Sequence, residues 1–192
     1  MKDFVLASGS PQRKQLLAQL GTEPAVIEPA DIDETPFRGE KPSAYVKRMA
    51  REKAMHVAAK YPGKVVLGSD TVVVCAAKII QKAHSDEEQE KVMRALSGKS
   101  HHVLTAVCVV DAAGKPRVRL NTTKIQMKRL SEQEIKDYVA THEWVGCAGY
   151  KIEGRLAGLV RKMTGSYSGV VGLPLFETKN LLESAGIRQE LK

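Results

Sequence analysis

The sequence predicts an α/β fold built on a mixed, twisted sheet with flanking helices. Three observations carry this. Short apolar runs alternate with amphipathic segments along the chain, two Ser-x-x-Glu boxes mark helix starts, and glycine or proline closes most of the segments. With 192 residues, 43% hydrophobic and 27% charged, the chain is one ordinary globular domain able to bury a core. Only 5% is aromatic, so that core is aliphatic.

In order, Phe4-Val5-Leu6-Ala7 reads as a buried strand and Ser8-Gly9-Ser10-Pro11 as a tight loop. Residues 12–20 form a helix, with Ser10 placed to cap it, Pro11 suited to its first position and Gly21 to its end. Residues 24–42 are polar and proline-punctuated, and read mainly as loop. A second helix spans residues 43–61, with Val46, Met49, Ala50, Ala54 and Val57 on one stripe. Residues 65–75 form a strand run interrupted by Gly68-Ser69-Asp70, and residues 78–81 return as a hairpin. The boxes Ser85-Asp86-Glu87-Glu88 and Ser131-Glu132-Gln133-Glu134 open helices to about 96 and 141. Between them lie strands at 103–111 and 117–127. Short strands are expected around Ile152 and at 159–163, and a closing helix at 174–185 stops at Gly186.

Bulk properties narrow the function. A formal charge of +8 favours anionic partners. The positives are scattered rather than blocked, which argues for phosphate-bearing small molecules and against a nucleic-acid tail. Cys75, Cys108 and Cys147 have no CxxC spacing, as expected of a reduced, cytoplasmic protein. Neither a signal peptide nor a membrane span is expected, since no apolar run approaches about 18 residues.

Five positions stand out chemically. The loop from Ser8 to Ser10 before a helix is a ready anion site, because the first helical amides lack partners. Arg13 and Lys14 in that first turn oppose the helix dipole, a misfit an anion would relieve. Lys53 falls on the apolar stripe of the second helix, so it either snorkels outward or aims an ammonium into a cleft. Asp70 interrupts an apolar strand pair, where an unpaired carboxylate would cost several kcal/mol. It is a turn residue bonded to amides, a metal ligand or a general base. Lys82, beyond the hairpin, could bring a second ammonium to Asp70. Glu34, in Asp31-Ile32-Asp33-Glu34-Thr35, is an acidic surface turn or a metal ligand complementing Asp70. Ser97-Gly98-Lys99-Ser100 lacks the first glycine of a P-loop, and no GxSxG, HExxH or GxGxxG occurs.

Together, several segments resemble the Maf family, nucleotide pyrophosphatases also called septum-formation inhibitors. These are Leu6-Ala7-Ser8-Gly9-Ser10-Pro11 with Arg13, Asp33-Glu34-Thr35, Arg51-Glu52-Lys53-Ala54, Gly68-Ser69-Asp70-Thr71, Lys82, Leu96-Ser97-Gly98, His102-Val103 with Thr105-Ala106-Val107, Cys147-Ala148-Gly149, Gly165-Ser166-Tyr167 and Val171-Gly172-Leu173-Pro174-Leu175. The likeness covers nearly the whole chain and implies two lobes around a central cleft, a relation to inosine-triphosphate pyrophosphatases, a homodimer, and dependence on Mg²⁺, Mn²⁺ or Co²⁺. It makes Asp70 the proton acceptor or metal holder and Glu34 its assistant. Lys53, Lys82, Arg13, Ser8 and Ser10 would hold the triphosphate, and Arg13, Thr71 and Glu153 would bear on base choice. The implied reaction converts a nucleoside triphosphate and water to the monophosphate and pyrophosphate. Threonine at 71 resembles the dTTP/UTP branch rather than the 7-methyl-GTP branch. Glu153 departs from the glutamine usual in the former, and an ionised carboxylate only accepts hydrogen bonds where an amide also donates. The rival reading is a non-catalytic, nucleotide- or nucleic-acid-binding regulator of cell division. Asp70 separates the two, because binding phosphates does not call for a carboxylate beside them.

Overall fold

The computed structural model describes residues 4–188. Its order is β1 (Phe4–Leu6), α1 (Pro11–Gln19), β2 (Val26–Ile27), α2 (Pro42–Ala58), β3 (Val65–Cys75), β4 (Lys78–Ile80), α3 (Asp86–Leu96), β5 (Ser100–Val110), β6 (Pro116–Met127) and α4 (Glu132–Val139). A short 3₁₀ turn (Arg155–Leu159), β7 (Val160–Thr164), α5 (Tyr167–Val171) and α6 (Leu175–Ser184) complete it. The strands form one mixed sheet in the order β2-β1-β3-β5-β6-β7, with β4 attached to β3. β1 runs parallel to β2 and β3, and the remaining pairs are antiparallel.

The two-residue period of β3 explains the layering. Val66 and Val72 join Val46, Met49, Ala50 and Val57 of α2 in one apolar cluster. Val65 and Leu67 point the other way, into a cluster with Leu17 of α1 and Leu181 of α6. A third cluster, around Met93, Leu96, Ile125, Ile135 and Leu156, packs α3 and α4 beside the sheet. Helices therefore flank both faces of a mixed sheet, as the alternating pattern predicts. Cys75 and Cys108 are buried. Among the described residues, no helix is long and apolar enough to cross a membrane.

Several local expectations are corrected. β3 runs unbroken through Gly68-Ser69-Asp70, because its ladder with β5 continues from Val66 to Val74. The 24–42 loop contributes β2, whose two residues pair with β1. Ile152 lies in a turn before the 3₁₀ segment rather than in a strand, and α5 forms where no helix is expected. Ser10 occupies the cap position of α1 without capping it; its hydroxyl donates to Gln12 Oε1 instead. The box at Ser131 closes reciprocally, whereas at Ser85 only the serine half forms, since Glu88 accepts from His84 N.

Candidate active site

β3 is the longest strand on its side of the sheet, and its far edge is only partly covered. β1 pairs with its residues Val65, Val66 and Leu67, and β4 pairs with Val73, Val74 and Cys75. Residues 68–72 have no strand partner on that edge among the described residues. The Ala7 amide still donates to Leu67 O at 2.8 Å, and then the ladder opens. Main-chain direction repeats every second residue, so Ser69 and Thr71 turn their backbone groups into the opening. A cleft of about 1150 Å³ occupies it, lined by Ser8, Ser10, Arg13, Glu34, Lys53, Asp70, Thr71, Lys82 and Glu153 among others. Of the residues singled out in the sequence, all but Lys14 thus border one cavity.

α2 approaches this opening unusually closely. A Cβ at Gly68 would lie 2.8 Å from Ala50 O and 2.9 Å from the Ala54 amide, so only glycine lets the helix seat there. That seating delivers Lys53, which is 8% exposed, to the strand. Its ammonium donates to Asp70 Oδ1 at 2.7 Å and pairs with Glu34 Oε1 at 3.0 Å. The inward orientation of Lys53 is therefore explained by two carboxylates. Asp70 is 7% exposed. Burial pushes its carboxyl above the ordinary value, against the opposing pull of Lys53 and then Arg13. A buried, proton-hungry carboxylate beside solvent is a better base than an exposed one.

Arg13 completes the charged end. Its Nε donates to Gly172 O at 2.9 Å and its Nη1 to Ser8 Oγ at 2.8 Å, while the Ser10 amide also donates to Ser8 Oγ, at 3.2 Å. The guanidinium bridges the first loop to the segment after α5, 159 residues apart in sequence. Desolvation lowers its pKa, and the charges of Asp70 and Glu34 act in the opposite sense. Pro11 at the helix start removes one amide, and the amides after it remain available to an anion.

Glu34 is half-exposed and sits in irregular chain. Two residues of α2 hold that chain: Tyr45 Oη donates to Glu34 O at 2.9 Å, and Arg48 Nη2 donates to Thr35 O at 3.1 Å. Arg48 is itself held by Glu40 at 2.7 Å and lies over the Phe37 ring, 3.9 Å from its centroid. Lys82 is exposed at the cleft and makes no ion pair among the described residues. It does not touch Asp70, so only one of the two lysines meets that carboxylate. Thr71 points to the opposite face from Asp70, where its hydroxyl lies 3.1 Å from Thr105 Oγ1. Thr105 Oγ1 also donates to Gly169 O at 2.7 Å. Glu153 is exposed at the mouth.

Asp70 and Glu34 converge on one ammonium, so two hard oxygen donors stand close together. Among the described residues there is no cluster of three or more His, Cys, Asp or Glu that could hold a metal alone. Such a set fits Mg²⁺ or Mn²⁺, which take one or two carboxylates and complete their shell with water and substrate phosphates. Tyr45 and Arg48 matter to this site, yet sequence reasoning did not single them out. Thr105 and Gly172 left a trace only as members of segments that carry the family resemblance, with no role attached to either.

A family model described as Maf-like protein matches residues 3–185. A dTTP/UTP pyrophosphatase of Sphingopyxis alaskensis is 49% identical over 188 residues, covering 97% of this chain and 98% of that relative. One of Caulobacter vibrioides is 47% identical over 186 residues, covering 96% of each. Among solved structures, a HAM1 protein from Coxiella burnetii aligns at 21% identity with a TM-score of 0.49, covering 68% of this chain and 75% of that one.

Proposed function

Since the chain belongs to the Maf-like protein family, we propose that it is a nucleoside-triphosphate pyrophosphatase acting on dTTP and UTP. The carrying observation is the buried Lys53–Asp70 pair, joined by Glu34, in the opening along β3. A carboxylate beside bound phosphates repels them and has a use only if it takes a proton or helps to hold a cation.

In the reaction, a water oxygen bonds to the α-phosphorus, the bond to the bridging α–β oxygen breaks, and pyrophosphate departs with that electron pair. Asp70 accepts the proton lost by the water. Lys53 sits within reach of the same oxygens and offsets the charge that grows on the phosphoryl group. Arg13 and the Ser8–Ser10 loop bind the polyphosphate, with Lys82 free to turn toward it from the rim. A divalent cation held by Asp70 and Glu34 would supply charge neutralisation at the phosphates.

The two relatives named above support dTTP and UTP as substrates, and Thr71 in the cleft wall goes with that branch. Glu153 is the residue that strains the assignment. A single two-lobed domain working in the cytoplasm as a homodimer, with no nucleic-acid or membrane partner, belongs to the same proposal. The test is to incubate the protein with each common nucleoside triphosphate and 7-methyl-GTP plus Mn²⁺, and to assay pyrophosphate. Release is expected first from dTTP and UTP. No release from any nucleotide would overturn the reaction, and release from 7-methyl-GTP alone would overturn the base assignment.

A further inference from the structure

On the sheet face away from α2, three buried hydroxyls from three neighbouring strands hold the segment from Ser166 to Gly172. Thr123 Oγ1 of β6 accepts from the Ser166 amide at 2.9 Å. Thr105 Oγ1 of β5 donates to Gly169 O, and Ser69 Oγ of β3 donates to Gly172 O at 3.0 Å. Ser69 and Thr123 are 0% exposed and Thr105 is 1% exposed, so none of the three reaches a ligand. They share a face because Thr105 stands opposite both Thr71, two residues from Ser69, and Asn121, two residues from Thr123.

The spacing of the three bonds follows from helix and sheet geometry. A helical turn advances about 5.4 Å and strands lie about 4.8 Å apart, so one residue per turn meets each successive strand. Glycines allow the close seating. A Cβ on Gly165 would lie 2.6 Å from Thr123 Oγ1, and one on Gly169 would lie 2.7 Å from Asn121 Oδ1.

The row ends on an atom that the cleft uses. Gly172 O accepts from Ser69 Oγ and also, at 2.9 Å, from Arg13 Nε. With Nη1 bonded to Ser8 Oγ, the guanidinium is fixed at two corners, and its remaining N–H groups are left to an anion in the cleft. A carbonyl anchored by a buried hydroxyl holds its second donor in one place, as satisfied buried networks do.

We infer that Ser69, Thr105 and Thr123 are positioning residues for Arg13, acting through the main chain from Ser166 to Gly172. The assignment rests on the reading of Arg13 as a polyphosphate ligand and goes beyond it by naming the groups that aim its guanidinium.

Two measurements test it. NMR exchange of the Arg13 Nε proton reads the bond to Gly172 O without ligand, and calorimetric titration with pyrophosphate in Mg²⁺ reads its consequence. Ser69→Ala and Thr105→Val should each speed that exchange about tenfold and weaken pyrophosphate about fivefold. Thr105→Ser keeps the hydroxyl and should stay within about twofold of wild type on both readings. In an Arg13→Gln background, Ser69→Ala should cost no more than about twofold further, since both changes remove the same contact. The two strands give independent variants, so poor folding of one leaves the other to decide. Unchanged Arg13 exchange, losses that add fully in the Arg13→Gln background, or a Thr105→Ser variant as impaired as Thr105→Val would overturn the inference. A wild-type protein that binds no pyrophosphate would instead remove the polyphosphate reading, and the exchange of the Arg13 proton in the same samples would still decide what holds the guanidinium.

Discussion

The two ends of the cleft bury polar groups in different ways. At the charged end, Lys53, Asp70 and Glu34 satisfy one another, side chain to side chain. At the far end, Gln89 and Tyr138 are bonded to main chain and His101 to a neighbouring ring. Ion pairs between side chains exchange readily for phosphate oxygens or a cation, without moving any backbone. Bonds to main chain fix the backbone they hold, and exchanging one would require that backbone to move. The contrast teaches that one end is arranged to change partners and the other to keep them.

The strongest way to break that contrast is at Asp70. Asp70→Asn keeps the shape and removes the base, so turnover should fall by roughly 10²–10⁴-fold, while nucleotide binding stays measurable by titration. Retained turnover would reduce Asp70 to a partner of Lys53. Next is the seat of α2. Gly68→Ala drives a methyl group into Ala50 O and the Ala54 amide, and should cost about 1–3 kcal/mol in urea unfolding. It should also lower turnover by moving Lys53 off Asp70. Unchanged stability would mean that the helix is free to shift.

The far end is sharpened by pH. Burial pulls the His101 imidazole down to about 4 in the fold, from its ordinary value of 6.5. Protons therefore bind preferentially to the unfolded chain between these values. The stability owed to neutral His101 is complete above about pH 6.5 and is lost as pH falls toward 4. Between pH 7 and 5 this amounts to roughly 2 kcal/mol, and His101→Phe should flatten the profile of unfolding free energy over that range. A profile equally steep in the variant would assign the loss to other groups. The smallest effect is expected at the exposed mouth. Glu153→Gln should leave stability within about 0.5 kcal/mol and raise the preference for dTTP and UTP over other bases by roughly 10-fold. An unchanged substrate profile would remove Glu153 from base selection.

Much of the site was legible one residue at a time. A lysine on an apolar stripe and an aspartate in an apolar run are each costly alone, and the cost itself points to a partner. The same logic failed for β3. Gly68-Ser69-Asp70 looked like an interruption because polar and small residues weaken a strand on average, yet the β5 ladder and the contact with α2 override that preference. The second strand was missed because two residues carry no period, and pairing with β1 alone makes them a strand. Ser10 and Ser85 met the rule for helix starts, but the Ser10 hydroxyl turns to Gln12, and at Ser85 the serine caps while Glu88 turns to the amide of His84.

By itself, the sequence determined the α/β class, the elements with a clear period, and which charged residues stood in apolar surroundings. These follow from periodicity and from the cost of burying charge, both of which act along the chain. Tertiary structure alone decided that β1 and β4 leave residues 68–72 of β3 uncovered, that Glu34 rather than Lys82 completes the Lys53–Asp70 pair, and that Arg13 closes onto Gly172. Those facts depend on which distant segments share an edge, and no local pattern of hydrophobicity or propensity encodes that choice.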